Sequence, residues 1–307
     1  MIRTIVKTLV FAFVLALIAT GVQMARQARA AAEVEQAWGT TVASRVTNLG
    51  TTKSLTIVPL VDEATSSSDL QFEHGVSYLV KTDRHTVLMD LGWNNNAAPL
   101  LHNMASLGVT PTDIEAIAFS HVHPDHVGGF KWWVKDTFAL GAEQSDLHGL
   151  PVYTPAPLTY PGLTPTLTAQ PTVITEGIAT TGGIAFAEVF PLSLWRTVRT
   201  EQAVAVNVEG KGIVLILGCG HPSVERFVAR AQAAFDAPVV GLVGGLHYED
   251  KSPEFVNASV AYVKTLQPQL VALSPHDSTP ANIQAFRDAF PGRYQNVEVG
   301  RPITLGH

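Results

Sequence analysis

The sequence predicts an α/β fold in which sheets are covered by helices, and two observations carry that prediction. In the second half, short Val-, Ile- and Leu-rich runs alternate with segments of helical length that open on helix-start residues. In the first half, four apolar runs bounded by turn residues are interrupted by one helical stretch. Alternation of this kind buries strands beneath helices, and neither an all-α nor an all-β chain produces it. With 307 residues, 46% apolar and 15% charged, the chain can build a sizeable core.

The N-terminus stands apart. Arg3 and Lys7 precede an uncharged apolar stretch from Leu9 to Val22, and Ala28-Arg29-Ala30 forms a small-x-small cleavage pattern. Residues 1–30 therefore read as a signal peptide, which makes the mature protein periplasmic or secreted. Arg26 and Arg29 lie beyond the apolar stretch, where positive charge resists translocation, so a membrane anchor over residues 5–24 stays open. A cytosolic amphipathic extension is the third reading. Membrane contact is expected only if this segment stays uncleaved. Residues 31–307 show no repeat, linker or low-complexity tail and read as a single domain.

The first thirty residues hold four basic side chains and no acid, so their removal takes the formal charge from −6 to −10. An acidic surface is a poor match for a phosphate backbone, and nucleic acid is not an expected partner. One cysteine, Cys219, excludes an internal disulfide and a cysteine-rich zinc module, so eleven histidines must carry any metal chemistry.

In chain order, strands are expected at Leu55–Val61, Val76–Lys81, Thr86–Asp90 and Ala116–Phe119, with a helix at Ala97–Leu107 closed by Gly108. Six prolines between Gly149 and Pro171 mark a long loop, either a surface connection or a flap over a pocket. Strands at Ile213–Leu217, Val239–Val243 and Leu270–Leu273 then alternate with helices at Ser223–Phe235 and Pro253–Leu266, where Pro222 and Pro253 suit a first helical turn. A last helix at about Pro280–Phe290 precedes a short strand at Val297–Val299.

The stretch SHVHPDHVGG, residues 120–129, follows the apolar run Ala116–Phe119 directly. Two histidines at i and i+2 on a tight loop can present their rings to one ion, and His121 and His123 fit that spacing. Asp125 and His126 are offset by a short turn and can serve a second ion or orient a nucleophilic water. Gly128 and Gly129 let the backbone bend. Three later strands are each followed within a few residues by a histidine, His221, His247 and His276. Ligands of open α/β sheets gather at carboxyl ends of strands, so these rings can converge with the first cluster.

The H-x-H-x-D-H run resembles the signature of the metallo-β-lactamase superfamily. FEHGVSYLV (72–80), LMDLG (88–92), HNMASLGV (102–109), EQAV (201–204), LILGCGHPSVE (215–225), LVGGLH (242–247) and SPHDST (274–279) resemble its 7,8-dihydropterin-6-methyl-4-(β-D-ribofuranosyl)-aminobenzene-5′-phosphate synthase-like branch. The resemblance implies a four-layer αββα sandwich with metals at one edge between two sheets. It implies a first metal site of His121, His123 and His221 and a second of Asp125, His126 and His276, holding one or two zinc ions, with manganese or iron as alternatives.

Where most dinuclear members carry a bridging aspartate, this chain has Cys219, which can ligate zinc or pack behind the site. HDST stands where the branch has His-Cys-Thr-Gly, and that departure bears on substrate identity. Asp90 and His74 are expected to orient ligands rather than bind metal, and His247 to face the pocket. Trp132 and Trp133 suit either a pocket wall or the core. The implied activity is hydrolysis of a small-molecule ester, lactone, amide or phosphoester by a metal-activated hydroxide, with Asp125 orienting the water or taking its proton. A condensing enzyme like the branch's synthase and a non-catalytic metal- or ligand-binding protein are the alternatives.

Overall fold

A computed structural model describes residues 2–93 and 98–306. His307 and residue 97, the first of the expected helix Ala97–Leu107, lie outside the described residues. The chain divides into two compact units, Met1–Val42 with Ala185–Arg199, and Ala43–Ile184 with Thr200–His307.

The larger unit contains two sheets. The first has seven strands in the order Ile303–Gly306, Ser54–Val61, Ser77–Thr82, Thr86–Met89, Ala116–Ala118, Val152–Thr154 and Thr166–Leu167. The second has six, ordered Leu270–Leu273, Val239–Gly244, Gly212–Leu217, Val204–Val208, Ile178–Thr180 and Thr172–Thr175. Their inner faces share one core, in which Leu55, Ile57, Tyr78, Val80 and Met89 of the first sheet meet Val204, Val206, Val214, Ile216 and Val243 of the second. Each fully buried aliphatic side chain of this set contributes about 1.5–3 kcal/mol.

Helices cover the outer faces. Pro99–Ser106 packs on the strand Ser54–Val61, Val224–Ala234 on Val239–Gly244, and Pro280–Ala289 on Leu270–Leu273, with Pro253–Thr265 beside it. Every residue of Gly212–Leu217, Val239–Gly244 and Leu270–Leu273 is buried. These strands run parallel to one another and are covered on both sides, which explains their unbroken apolar character. The architecture is an αββα sandwich.

Strand direction decides where the chemistry falls. The parallel strands Gly212–Leu217, Val239–Gly244 and Leu270–Leu273 release their following loops at one edge of the second sheet. In the first sheet, Thr86–Met89 and Ala116–Ala118 are also parallel, so Asp90 and Ser120 leave the sheet side by side.

Two expectations about elements change. Val299 makes only an isolated bridge to Thr65, and the terminal strand is instead Ile303–Gly306. That segment pairs antiparallel with Ser54–Val61, Leu305 opposite Leu55 and Ile303 opposite Ile57, which buries alternate side chains. The proline-rich stretch 149–171 is not loop throughout, because Val152–Thr154 pairs with Ala116–Ala118 and Thr166–Leu167 adds an edge strand.

In the smaller unit, one helix runs over Ile2–Thr40, so residues 31–42, expected within the domain, belong here. The helix is long and apolar enough to cross a membrane by length and composition. Residues 185–199 supply most of a two-stranded hairpin, in which the Arg199 guanidinium donates to Glu188 at 2.6 Å.

Candidate metal centre

The histidine loop is set by what Asp90 holds. Asp90 is fully buried and takes a left-handed backbone conformation, with φ of 57°. Its Oδ1 accepts the Ser120 backbone N–H at 2.7 Å, and its Oδ2 accepts the Ser120 hydroxyl at 2.5 Å and His126 Nδ1 at 2.8 Å. The Ser120 hydroxyl, having given its hydrogen to Asp90, accepts from His121 Nδ1 at 2.9 Å. Both imidazoles therefore keep Nε2 for the interior of the site, the arrangement by which outer carboxylates orient metal-ligating histidines.

Room for this network depends on glycines. A Cβ on Gly218 would lie 2.1 Å from Ser120 Oγ and 3.3 Å from Asp90 Oδ2. Gly128, at φ of 90°, brings the loop so close to the segment around Ala139 that a Cβ would meet Ala139 O at 2.2 Å. Trp133 Nε1 donates to Val122 O at 3.1 Å, and both Trp132 and Trp133 are buried, so the tryptophan pair packs beneath the loop.

Two donor sets result. Ligand atoms of His121, His123 and His221 all lie within 4.8 Å of one another, as do those of Asp125, His126, Cys219 and His276. His121 Nε2 faces His123 Nδ1 at 3.0 Å. The His221 ring sits 4.9 Å from that of His121 and 5.0 Å from that of His123. In the second set, His276 Nε2 is 3.2 Å from Asp125 Oδ2, and His126 Nε2 is 3.1 Å from Cys219 Sγ. The sets adjoin, since the His121 and His126 rings are 4.0 Å apart. Residues far apart in sequence thus meet in one place.

The electrostatics of the sets differ. Burial and the surrounding imidazoles push His121 and His221 well below the usual histidine range, so these two rings are neutral and offer lone pairs. In the second, burial opposes charge, but His126 and His276 outweigh it and hold the Asp125 carboxyl well below its ordinary value. His276 is raised by Asp125 and Glu63 despite its burial. This set draws in positive charge, and a metal ion can take the place of those protons. Three imidazoles beside a carboxylate, two imidazoles and a thiol fit divalent zinc-type ions. Burial raises the Cys219 thiol well above its ordinary value, so a nearby cation is what would favour its thiolate.

His74 and His247 lie at the margins. His74 Nδ1 is 2.8 Å from Glu63 Oε1, and His247 Nδ1 is 3.0 Å from Asp277 Oδ2. The His247 and His221 rings are 4.5 Å apart, so His247 borders the first donor set.

Three carboxylates were not singled out from the sequence. Glu63 lies between His74 and His276, 3.2 Å from His276 Nδ1, and those two rings lower its pKa to about 2. It follows the strand Ser54–Val61, so the strand-end rule that singled out the histidines extends to it. Asp277 joins His247 to His276, whose Nε2 is 3.2 Å away. Glu201, fully buried, accepts the backbone N–H groups of Cys219, Gly220 and His221 at 2.8–3.0 Å and shapes that ligand loop. Burial raises its pKa to about 7. Gln202 beside it donates to Phe119 O at 2.8 Å, tying the same segment to the histidine loop. The EQAV stretch carried this signal.

Two packed sheets with these donor sets where their strands end make up a metallo-β-lactamase-type fold. The sequence model of the metallo-beta-lactamase superfamily matches residues 70–189. The chain is 23% identical over 295 residues to the 7,8-dihydropterin-6-methyl-4-(beta-D-ribofuranosyl)-aminobenzene-5′-phosphate synthase of Methanocaldococcus jannaschii, covering 84% of this chain and 99% of that one. Among solved structures it resembles a metal-dependent hydrolase of the β-lactamase superfamily, with a TM-score of 0.59, 20% identity and coverage of 82% of this chain and 100% of the other. It also resembles the metallo-β-lactamase fold protein YhfI of Bacillus subtilis, with a TM-score of 0.51, 15% identity and coverage of 82% and 99%. The chain has the metallo-β-lactamase fold, and its residues 70–189 match that superfamily's sequence model.

Proposed function

We propose that this protein is a metal-dependent hydrolase of a small-molecule ester, lactone, amide or phosphoester, acting outside the cytoplasm. The observation that carries the reading is the meeting of two adjacent donor sets, His121, His123 and His221 beside Asp125, His126, Cys219 and His276. Divalent ions bound there supply Lewis-acid polarisation of the substrate oxygen and a water acidified to a pKa of about 7. Asp90 and Ser120 orient the rings of His126 and His121. Asp125, its carboxylate turned toward His276, is placed to orient the attacking water or to accept its proton.

The test is elemental analysis of protein purified without added metal, followed by turnover of a panel of esters, lactones, lactams and phosphodiesters with and without chelator. Chelator-sensitive product release is expected, and His123→Ala should lose both metal and turnover. Full occupancy with no turnover across the panel would refute hydrolysis in favour of a binding protein.

The name of the Methanocaldococcus relative supports a second reading, a condensing enzyme acting on a phosphorylated ribofuranosyl substrate. Such a substrate needs cations at hand. Lys131, close to the motif in sequence, is instead bound to Glu143 at 2.9 Å and to Ala142 O at 3.0 Å, which favours the hydrolase. Condensation of a pterin with a ribofuranosyl aryl phosphate by the purified protein would reverse that preference.

A further inference from the structure

The N-terminal helix changes character part-way along. Among the described side chains up to Val22, every position is exposed, including Leu9, Phe11, Phe13, Val14, Leu15, Leu17 and Ile18. From Gln23 onward one stripe is covered, at Gln23, Gln27, Ala30, Val34, Ala37 and Trp38. That spacing of three to four residues is one helical face. The helix thus leaves its own protein packing at the point where its apolar stretch ends.

Ser193, in the turn of the 185–199 hairpin, marks that same level. Gln23 Nε2 donates to Ser193 Oγ at 2.6 Å, and the Arg26 guanidinium reaches Ser193 O at 3.5 Å. Around Ser193 the turn carries four exposed large apolar side chains: Val189 at 57%, Phe190 at 64%, Leu194 at 52% and Trp195 at 57%. A folded unit has no reason of its own to present four such groups together, and clustered exposed apolar groups mark a binding surface.

We infer that residues 189–195 form an interfacial membrane-insertion element, seated in the same bilayer leaflet boundary that the N-terminal helix enters. The occupant is lipid because the patch continues an apolar helix whose 18-residue window has a mean hydropathy of 2.1 and no buried residue. Residues 5–24 match the roughly 20 residues that span a hydrocarbon core. The hairpin tip lies level with the end of that span, where Trp and Phe rings prefer to sit. Arg26 and Arg29 follow at the depth of the headgroups. Helix and tip together form a two-point attachment, which holds the smaller unit at a fixed depth rather than on a single swivelling anchor. The inference takes the anchor reading of residues 5–24.

The test uses the full chain reconstituted into phosphatidylcholine and phosphatidylglycerol vesicles, with Phe190→Cys carrying an environment-sensitive fluorophore. Cys219 is buried and leaves the introduced thiol as the labelling site. Val14→Cys reports the helix, Asn257→Cys an exposed surface position, and Leu194→Cys repeats the tip measurement if the first variant folds poorly. Nitroxide-bearing lipids are expected to quench the tip severalfold more than residue 257, and aqueous iodide severalfold less. Equal iodide quenching at 190 and 257, with residue 14 protected, overturns the insertion while leaving the anchor intact. Protection from both iodide and lipid nitroxide shows a protein partner or second copy on the tip and also overturns it. Intact-mass measurement showing a chain that begins after residue 30 removes the anchor itself.

Discussion

Asp90→Asn isolates the device that aims His126. The substitution keeps size and shape, and the amide oxygen can still accept the Ser120 backbone N–H that Oδ1 accepts at 2.7 Å. The amide nitrogen then stands where Oδ2 accepted from Ser120 Oγ at 2.5 Å and from His126 Nδ1 at 2.8 Å, and it cannot accept from either. His126 must turn its lone pair to Nδ1 and carry its hydrogen on Nε2, the atom that points at Cys219 Sγ. A ligand atom of the Asp125, His126 and His276 set is thereby blocked. Loss of an outer partner of this kind weakens metal binding about 10- to 100-fold, equivalent to about 1.4–2.7 kcal/mol. Competition with a chromophoric chelator, run on wild type and variant with two equivalents of zinc, resolves the two ions. One is expected to weaken by that factor and the other, held by His121, His123 and His221, by less. Both affinities unchanged in a variant with native circular dichroism would show that Asp90 does not aim the ligand.

Gly218→Ala sets a methyl 2.1 Å from Ser120 Oγ and should displace it from Asp90, lowering affinity at both sites with little change in the far-ultraviolet spectrum; unchanged zinc titration would refute that packing argument. Cobalt-loaded wild type is expected to show a thiolate-to-metal charge-transfer band that Cys219→Ser abolishes, and its absence in wild type would place Cys219 behind the site rather than on an ion. Burial raises the Asp62 carboxyl from its ordinary 3.8 to about 6, although Ser274, Glu63 and Tyr78 donate to it. A raised folded-state value favours the fold below about pH 4 and loses that contribution as pH climbs through 6. Relative to Asp62→Asn, both in chelator, wild type should therefore lose about 2.4 kcal/mol between pH 4 and 7; a flat difference in urea midpoints over that range would refute the shift.

Much of the site was legible because its ligand types are scarce. Histidines at i and i+2, or just after apolar strands, have few other uses, and His121, His123, Asp125, His126, His221 and His276 meet in two adjoining sets. Glu63, Glu201 and Asp277 escaped because a carboxylate after a strand looks the same whether it faces water or a buried ring. The strands between Thr172 and Val208 escaped for a related reason: they are short, interspersed Thr and Ala lower their apolar contrast, and their pairing reaches across the chain at Val204–Val206 with Ile178–Thr180.

By itself the sequence determined the alternation of strands and helices, the acidic charge, the apolar N-terminus and the presence of metal-ligand chemistry, since each depends on local composition and spacing. Only the tertiary structure decided that Ile303–Gly306 closes the first sheet, that Glu201 shapes the Cys219–His221 loop, and that Cys219 lies within donor distance of His126. Those facts depend on which strand ends share an edge. Pairing of distant segments, antiparallel at Ile303–Gly306 and parallel along the second sheet, sets that, and no local pattern encodes it.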